Sequence, residues 1–126
     1  MSHEKLLTIS IAAYNVQSYI EQNLNSIIKS KYIDLIEVFV VDDGGQDNTL
    51  AIAQKYAEKY PDSIYPVHKE NGGYGTTVNY SAEHATGKYF RLLDGDDWFN
   101  TEGLDKLMEH IQQMEVSAIT LKRYEK

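Results

Sequence analysis

Arg91-Leu92-Leu93-Asp94-Gly95-Asp96-Asp97-Trp98 is the stretch of this chain that most plainly invites chemistry. A short apolar run ends in three carboxylates within four residues, and an aromatic follows. Carboxylates that close repel one another by roughly 1 kcal/mol per pair even in water. A cation neutralises such a cluster, or backbone N–H groups at a helix start accept it. The Asp94-Gly95-Asp96 spacing lets two carboxylates face one hard cation, with Gly95 allowing a tight backbone path. So few protein oxygens leave several coordination positions open, which suits magnesium or manganese. We assign Asp96 to the metal and Asp97 to capping the next helix. An Asp-Gly turn followed by a capping aspartate is the plain structural alternative.

Other metal and phosphate motifs are excluded. In an EF-hand beginning at Asp94 the position that must be glycine is Phe99, and the fifth is Trp98. There is no P-loop, and Gly72-Gly73-Tyr74-Gly75 departs from the dinucleotide fingerprint. A phosphate ligand would therefore be held through a metal. Asp42-Asp43-Gly44-Gly45 reads either as a polar strand-to-helix turn or as a carboxylate that accepts from a base or a ribose. Tyr14 either stacks on a flat heterocycle or lies at a sheet edge. His68 and His84 are isolated and read as structural.

These residues need elements to position them. Residues 6–13 and 36–41 are β-branched and apolar, as strands buried on both faces should be. Residues 63–68 and 88–93 supply two further strands, and 116–121 begins a fifth. Between them, Ile20, Leu24, Ile27 and Ile28 recur at helical spacing after Asn15, an expected N-cap. Asp47 caps a second helix to about residue 60, where Pro61 stops it. The Gly72 to Gly75 loop precedes a third helix over 76–85, closed by Thr86-Gly87. Thr101 caps a fourth, with Leu104, Leu107, Met108, Ile111 and Met114 as its apolar stripe.

Strand and helix alternate throughout, which demands an α/β fold: a mainly parallel sheet with helices on both faces. Ligands of such sheets sit at the carboxyl ends of the strands, where strand order reverses. Tyr14, Asp42-Asp43 and the 94–97 cluster all fall at such ends. An order of 3-2-1-4 would bring Tyr14 and the acidic cluster into one crevice.

The bulk numbers narrow the partners. At 126 residues the chain makes one domain with a real core. A formal charge of −7 disfavours a nucleic-acid partner. With no cysteine there is no disulfide, thiolate metal site or cysteine nucleophile, which is compatible with the cytoplasm. No apolar run is long enough to span a membrane, and no secretory signal is expected.

Together these stretches resemble the inverting glycosyltransferases of family 2, whose nucleotide-binding half has a Rossmann-like GT-A fold. The resemblance rests first on Ser10-Ile11-Ala12-Ala13-Tyr14-Asn15 and on Val40-Val41-Asp42-Asp43-Gly44-Gly45-Gln46-Asp47-Asn48-Thr49. Asn71-Gly72-Gly73-Tyr74-Gly75 with Asn79, Ala85-Thr86-Gly87-Lys88-Tyr89 and Leu93-Asp94-Gly95-Asp96-Asp97 complete it, in order across nearly the whole chain. It implies that Tyr14 and the backbone near Ala12 pack on the base of a nucleotide-diphosphate sugar, commonly uridine, and that Asp43 hydrogen-bonds that base. It makes Asp94-Gly95-Asp96 a DxD motif holding Mn2+ or Mg2+ on the diphosphate. Asp94 and Asp96 are then the metal residues, with Asp94 and Gly95 also beside the nucleotide.

Three positions depart from the family pattern. A proline is usual where Ala12 or Ala13 stands, a serine at Gly45 and an arginine at Val78. Lys69 is the candidate to replace that arginine. The family's general base lies in the acceptor-binding half, and nothing after Asp97 resembles it. The resemblance therefore implies a base beyond Lys126 and no catalytic residue within this chain. Residues 1–126 are expected to be a single donor-binding domain of a longer enzyme, inactive in transfer alone. That enzyme would carry a sugar with inversion to a hydroxyl of a glycan, lipid or protein, in the cytoplasm or at the inner membrane face. A non-catalytic nucleotide-binding or regulatory module is the alternative from another class.

Overall fold

Four short apolar segments become strands, and the amphipathic segments between them become the connecting helices. In chain order these are β1 (Leu7–Ala12), α1 (Ile20–Ile28), β2 (Ile36–Asp43), α2 (Thr49–Lys59), β3 (Ile64–Lys69), α3 (Tyr74–His84), β4 (Tyr89–Asp94) and α4 (Thr101–Tyr124). A 3-10 turn, Ile33–Leu35, leads into β2. The computed structural model describes residues 4–124, with side chains as far as residue 116. Lys126, beyond which the general base is expected, lies outside the described residues. The sheet is parallel at every pairing, in the order β3-β2-β1-β4. Its order reverses at β1 and β4, so their carboxyl ends flank the crevice that such a switch point creates.

Register divides the sheet into two unlike faces. Ile9 lies beside Val38 and Arg91, and Ile11 beside Val40 and Leu93. On that face Leu7, Ile9, Ile11, Val38 and Val40 join Ile20, Leu24 and Ile27 of α1, Ala53 of α2, and Leu104, Met108 and Ile111 of α4. Each fully buried aliphatic side chain there contributes about 1.5–3 kcal/mol. The opposite face carries α3, which packs on β1 and β2. There the Ser10 hydroxyl donates to Ser81 Oγ at 2.7 Å, and Phe39 meets the rings of Tyr65, Tyr80 and His84. Helices thus cover both faces as the alternation requires. On the α3 side, Phe90 and Leu92 of β4 stay 41% and 42% exposed.

Several boundaries differ from the sequence expectation. Asn15 does not cap α1: it takes a left-handed φ of 51° and its Oδ1 accepts the Gln46 N–H at 2.9 Å, so it turns the chain toward the β2–α2 loop. Helix α1 begins later, after a turn in which Val16 O accepts from Tyr19 and Ile20. Helix α3 begins two residues early, with Gly73 as N-cap at φ 94°. Gly87 has no positive φ; it is required because a Cβ there would lie 2.6 Å from the Thr8 backbone nitrogen.

Asp97 does not cap α4 but accepts the N–H of Trp98 at 3.0 Å. Asn100 takes the cap, accepting from Gly103 at 3.1 Å, while the Thr101 hydroxyl goes to Ser26 O. The fifth strand expected at 116–121 is instead the end of α4. No glycine or proline interrupts the chain after Gly103, and extending a helix costs less than nucleating a new element. Glu115 also ties α4 to the start of β4, through Lys88 at 2.9 Å and the Tyr89 hydroxyl at 3.1 Å.

Candidate functional site

Local chemistry at the end of β4 explains how the acidic motif is held. Register sets Asp94 beside Ala12, and the Gly95 N–H donates to Ala12 O at 2.9 Å. A Cβ on Gly95 would lie 2.6 Å from that oxygen and 2.8 Å from Val16 Cγ2, so only glycine lets the turn close against β1. Asp94 O accepts the Asp97 N–H at 3.0 Å and the Asn23 side-chain amide at 3.2 Å. Asn23 is fully buried on the apolar stripe of α1, a polar residue that the helical pattern passes over. It ties that helix to the motif's backbone.

The aspartates differ sharply in their partners. Asp42 Oδ1 accepts the Gly45 N–H at 2.9 Å, and its Oδ2 lies 3.0 Å from His68 Nδ1, so that histidine serves the loop as expected. Asp47 accepts from Thr49 at the start of α2 and from the Gln17 N–H. Asp43, 5% exposed, accepts from Gly72 N–H and Lys69 Nζ on Oδ1, at 2.9 and 2.7 Å, and from Gly73 N–H on Oδ2 at 2.9 Å. Burial alone would raise the Asp43 pKa, but those bonds outweigh it and hold the carboxyl below its ordinary value. Asp94 and Asp96 are exposed, and their carboxylates make no hydrogen bond or ion pair among the described residues.

Ala12, Tyr14, Asp43, Asp94, Gly95 and Asp96, the residues singled out from the sequence, all line one crevice of about 420 Å³. Tyr14 is half exposed at its rim. Sequence reasoning quoted Asn71 and Tyr74 within a family motif without naming them as site residues, and it missed Thr77; all three line the crevice from the loop after β3 and the first turns of α3. The glycines flanking Tyr74 signalled a loop but not its place. A larger hollow of about 620 Å³ runs along α4, lined by Glu109, Gln112, Gln113 and Val116, but it offers no converging set of carboxylates.

Among the described residues no basic side chain lines the crevice. Lys69, the candidate replacement for the family's arginine, is engaged elsewhere: its Nζ donates to Asp43, Glu70 O and Thr76 Oγ1 at 2.7 to 2.8 Å, which uses all three protons. With Asp43 neutralised by Lys69, the open charge of the crevice is that of Asp94 and Asp96. A bare diphosphate would be repelled there, whereas one bridged by a divalent cation would be attracted. Among the described residues no cluster of three acidic or histidine ligands forms a complete metal cage. Two unpartnered carboxylates nonetheless fit magnesium or manganese, which take one or two carboxylates and complete their shell with phosphate and water.

The profile described as Glycosyl transferase family 2 matches residues 8–126. A Mycoplasma genitalium protein described as an uncharacterized glycosyltransferase is 33% identical over 122 residues, covering 94% of this chain and 41% of the relative. The minor teichoic acid biosynthesis protein GgaB of Bacillus subtilis is 29% identical over 119 residues, 90% of this chain and 13% of that protein. Among solved structures, S. aureus TarS 1–349 in complex with UDP has a TM-score of 0.77 at 31% identity, covering 86% of this chain and 32% of its own. The mannosyltransferase PcManGT from Pyrobaculum calidifontis, in complex with GDP-Man and Mn2+, has a TM-score of 0.69 at 30% identity, covering 78% and 29%. The chain thus spans less than half the length of each. With the family model matched over residues 8–126 and the parallel sheet matching the fold of its solved neighbours, this chain belongs to glycosyltransferase family 2.

Proposed function

We propose that this chain is the donor-binding domain of a metal-dependent, inverting glycosyltransferase that uses a nucleotide-diphosphate sugar, with uridine as the base. The observation that carries the reading is the pair of carboxylates, Asp94 and Asp96, that have no partner among the described residues, in a crevice that none of the described basic side chains lines. Bound Mn2+ or Mg2+ would supply the positive charge that stabilises the leaving diphosphate. Tyr14 offers a half-exposed ring on which a base could stack. Asp43 keeps one acceptor position for the base, and the backbone at Ala12 and Gly95 shapes the floor.

Inversion requires the acceptor hydroxyl to attack the anomeric carbon opposite the departing diphosphate, losing its proton to a general base. No residue here is assigned that role. We place the base beyond Lys126, in the longer enzyme whose further length the coverage of the relatives suggests. Sugar transfer is then a property of the whole enzyme, on an acceptor glycan, lipid or protein, and this chain alone binds donor without turnover. Among the described residues no helix is long and apolar enough to cross a membrane.

The test is calorimetric titration of UDP with and without Mn2+, repeated with Asp96→Ala. Binding should require the metal and weaken at least about tenfold in the variant, the loss of roughly one charge-assisted contact. Binding indifferent to both metal and substitution would instead favour a non-catalytic nucleotide-binding module.

A further inference from the structure

Two solved relatives of this fold carry different bases, one UDP and the other GDP-Man, so likeness alone leaves base choice open. The hydrogen-bond inventory of Asp43 bears on it. A carboxylate offers about four acceptor positions. On Asp43, Oδ1 has both of its positions filled, by the Gly72 N–H and the Lys69 ammonium. Oδ2 has one filled, by the Gly73 N–H. A single position remains, on a carboxylate that lines the crevice.

We infer that Lys69 is a specificity-determining residue: by filling the second position on Asp43 Oδ1, it restricts the crevice to bases that present one N–H donor at this point. Uracil has one such donor, N3–H, between two carbonyl oxygens. Guanine presents N1–H and the 2-amino group side by side, and a carboxylate meets that pair only with both oxygens open. With Oδ1 saturated, one guanine donor is left without a partner in a largely desolvated place, which is costly. Strand register supplies the geometry, because Asp43 and Lys69 are direct neighbours across β2 and β3. The Thr76 hydroxyl and Glu70 carbonyl accept the other two Nζ protons and keep the ammonium in place.

This inference rests on the donor-site reading, and the experiment separates the two. Calorimetry of the whole chain with excess Mn2+ would compare UDP, GDP and IDP, the last a purine nucleotide of nearly the same size that lacks the 2-amino group. The unsubstituted protein should bind IDP more tightly than GDP, and UDP at least about tenfold more tightly than GDP. Lys69→Met frees one position on Oδ1 and should shrink the UDP:GDP ratio by about tenfold while GDP gains on IDP. Loss of the Lys69 charge affects all three diphosphates alike and cancels in the ratios. A parallel loss of affinity for all three would make Lys69 a mere fastener of the loop and overturn the inference. Equal affinity of the unsubstituted protein for GDP and IDP would overturn it with no variant needed. Failure of all three diphosphates to bind in the presence of Mn2+ would strike the donor-site reading itself.

Discussion

Replacing Glu37 tests how the far end of the sheet is held. This glutamate is the second residue of the apolar strand β2 and is 4% exposed. Its Oε1 accepts from the Thr8 hydroxyl at 2.6 Å and from the Thr86 and Gly87 N–H groups at 2.5 and 3.3 Å, and its Oε2 accepts the Thr86 hydroxyl at 2.7 Å. One carboxylate thereby ties β1 and β2 to the turn that starts β4. Glu37→Ala removes every one of these bonds and strips the fully buried Thr8 hydroxyl of its acceptor. Hydrogen bonds to a charged group contribute about 1.5–3 kcal/mol each, but Thr86 is exposed and regains water, so the expected loss is about 3–5 kcal/mol. For a domain of this size that lowers the melting temperature by roughly 10–20 °C. Glu37→Gln keeps the shape with neutral acceptors and should cost about 1–2 kcal/mol.

Acid sensitivity gives the same argument a second reading. Burial pushes the Glu37 carboxyl up, but the bonds from Thr8, Thr86 and Gly87 outweigh it and hold the group below its ordinary value. A depressed folded-state value means that this stabilisation is complete above the unfolded pKa of about 4.3. It is lost as pH falls from there through the folded value. Thermal melts by circular dichroism at several pH values should therefore show a steeper acid decline in the unsubstituted chain than in Glu37→Gln. The reasoning fails if Glu37→Ala melts within about 3 °C of the parent, or if the two acid slopes coincide.

Two further substitutions probe the turns beside the crevice. Gly95→Ala places a Cβ 2.6 Å from Ala12 O, so the backbone must shift by several tenths of an ångström. We expect a loss of about 2–3 kcal/mol in denaturant unfolding, with metal-dependent UDP affinity falling alongside. Unchanged stability would show that the turn has slack. Asn15→Ala keeps the left-handed φ without an asparagine and loses the bond to Gln46, about 2 kcal/mol together, whereas Asn15→Gly should lose only about 1. Equal losses for the two in urea titrations would argue against backbone strain at this position.

Much of the fold was legible because hydrophobic periodicity is a local property. The runs at 6–13 and 36–41, set against the 3.6-residue stripe of Ile20, Leu24 and Ile27, required alternating parallel strands and helices. Such a sheet puts its ligand crevice at the strand ends, and Tyr14, Asp43 and Asp94 to Asp96 were the unusual residues at those ends. The fifth strand was misplaced because β-branched residues at the end of a chain fit a strand or a continuing helix equally well by pattern. Only the structure decides, continuing the backbone of α4 through them while Glu115, just before, ties that helix to Lys88 and Tyr89.

Partner choice was beyond the sequence. Nothing local says that Asp43 meets Lys69, 26 residues away, or that the ammonium bonds within the loop and is not free to face the crevice. The same holds for Glu37 with Thr86, and for Asn23 with the backbone of Asp94. Local periodicity therefore determined which segments form strands and helices, and at which strand ends a site could lie. Tertiary structure alone decided which carboxylates are spent on the fold and which are left open. A buried charge is satisfied by whatever register brings next to it, and register is a relation between segments distant in the chain.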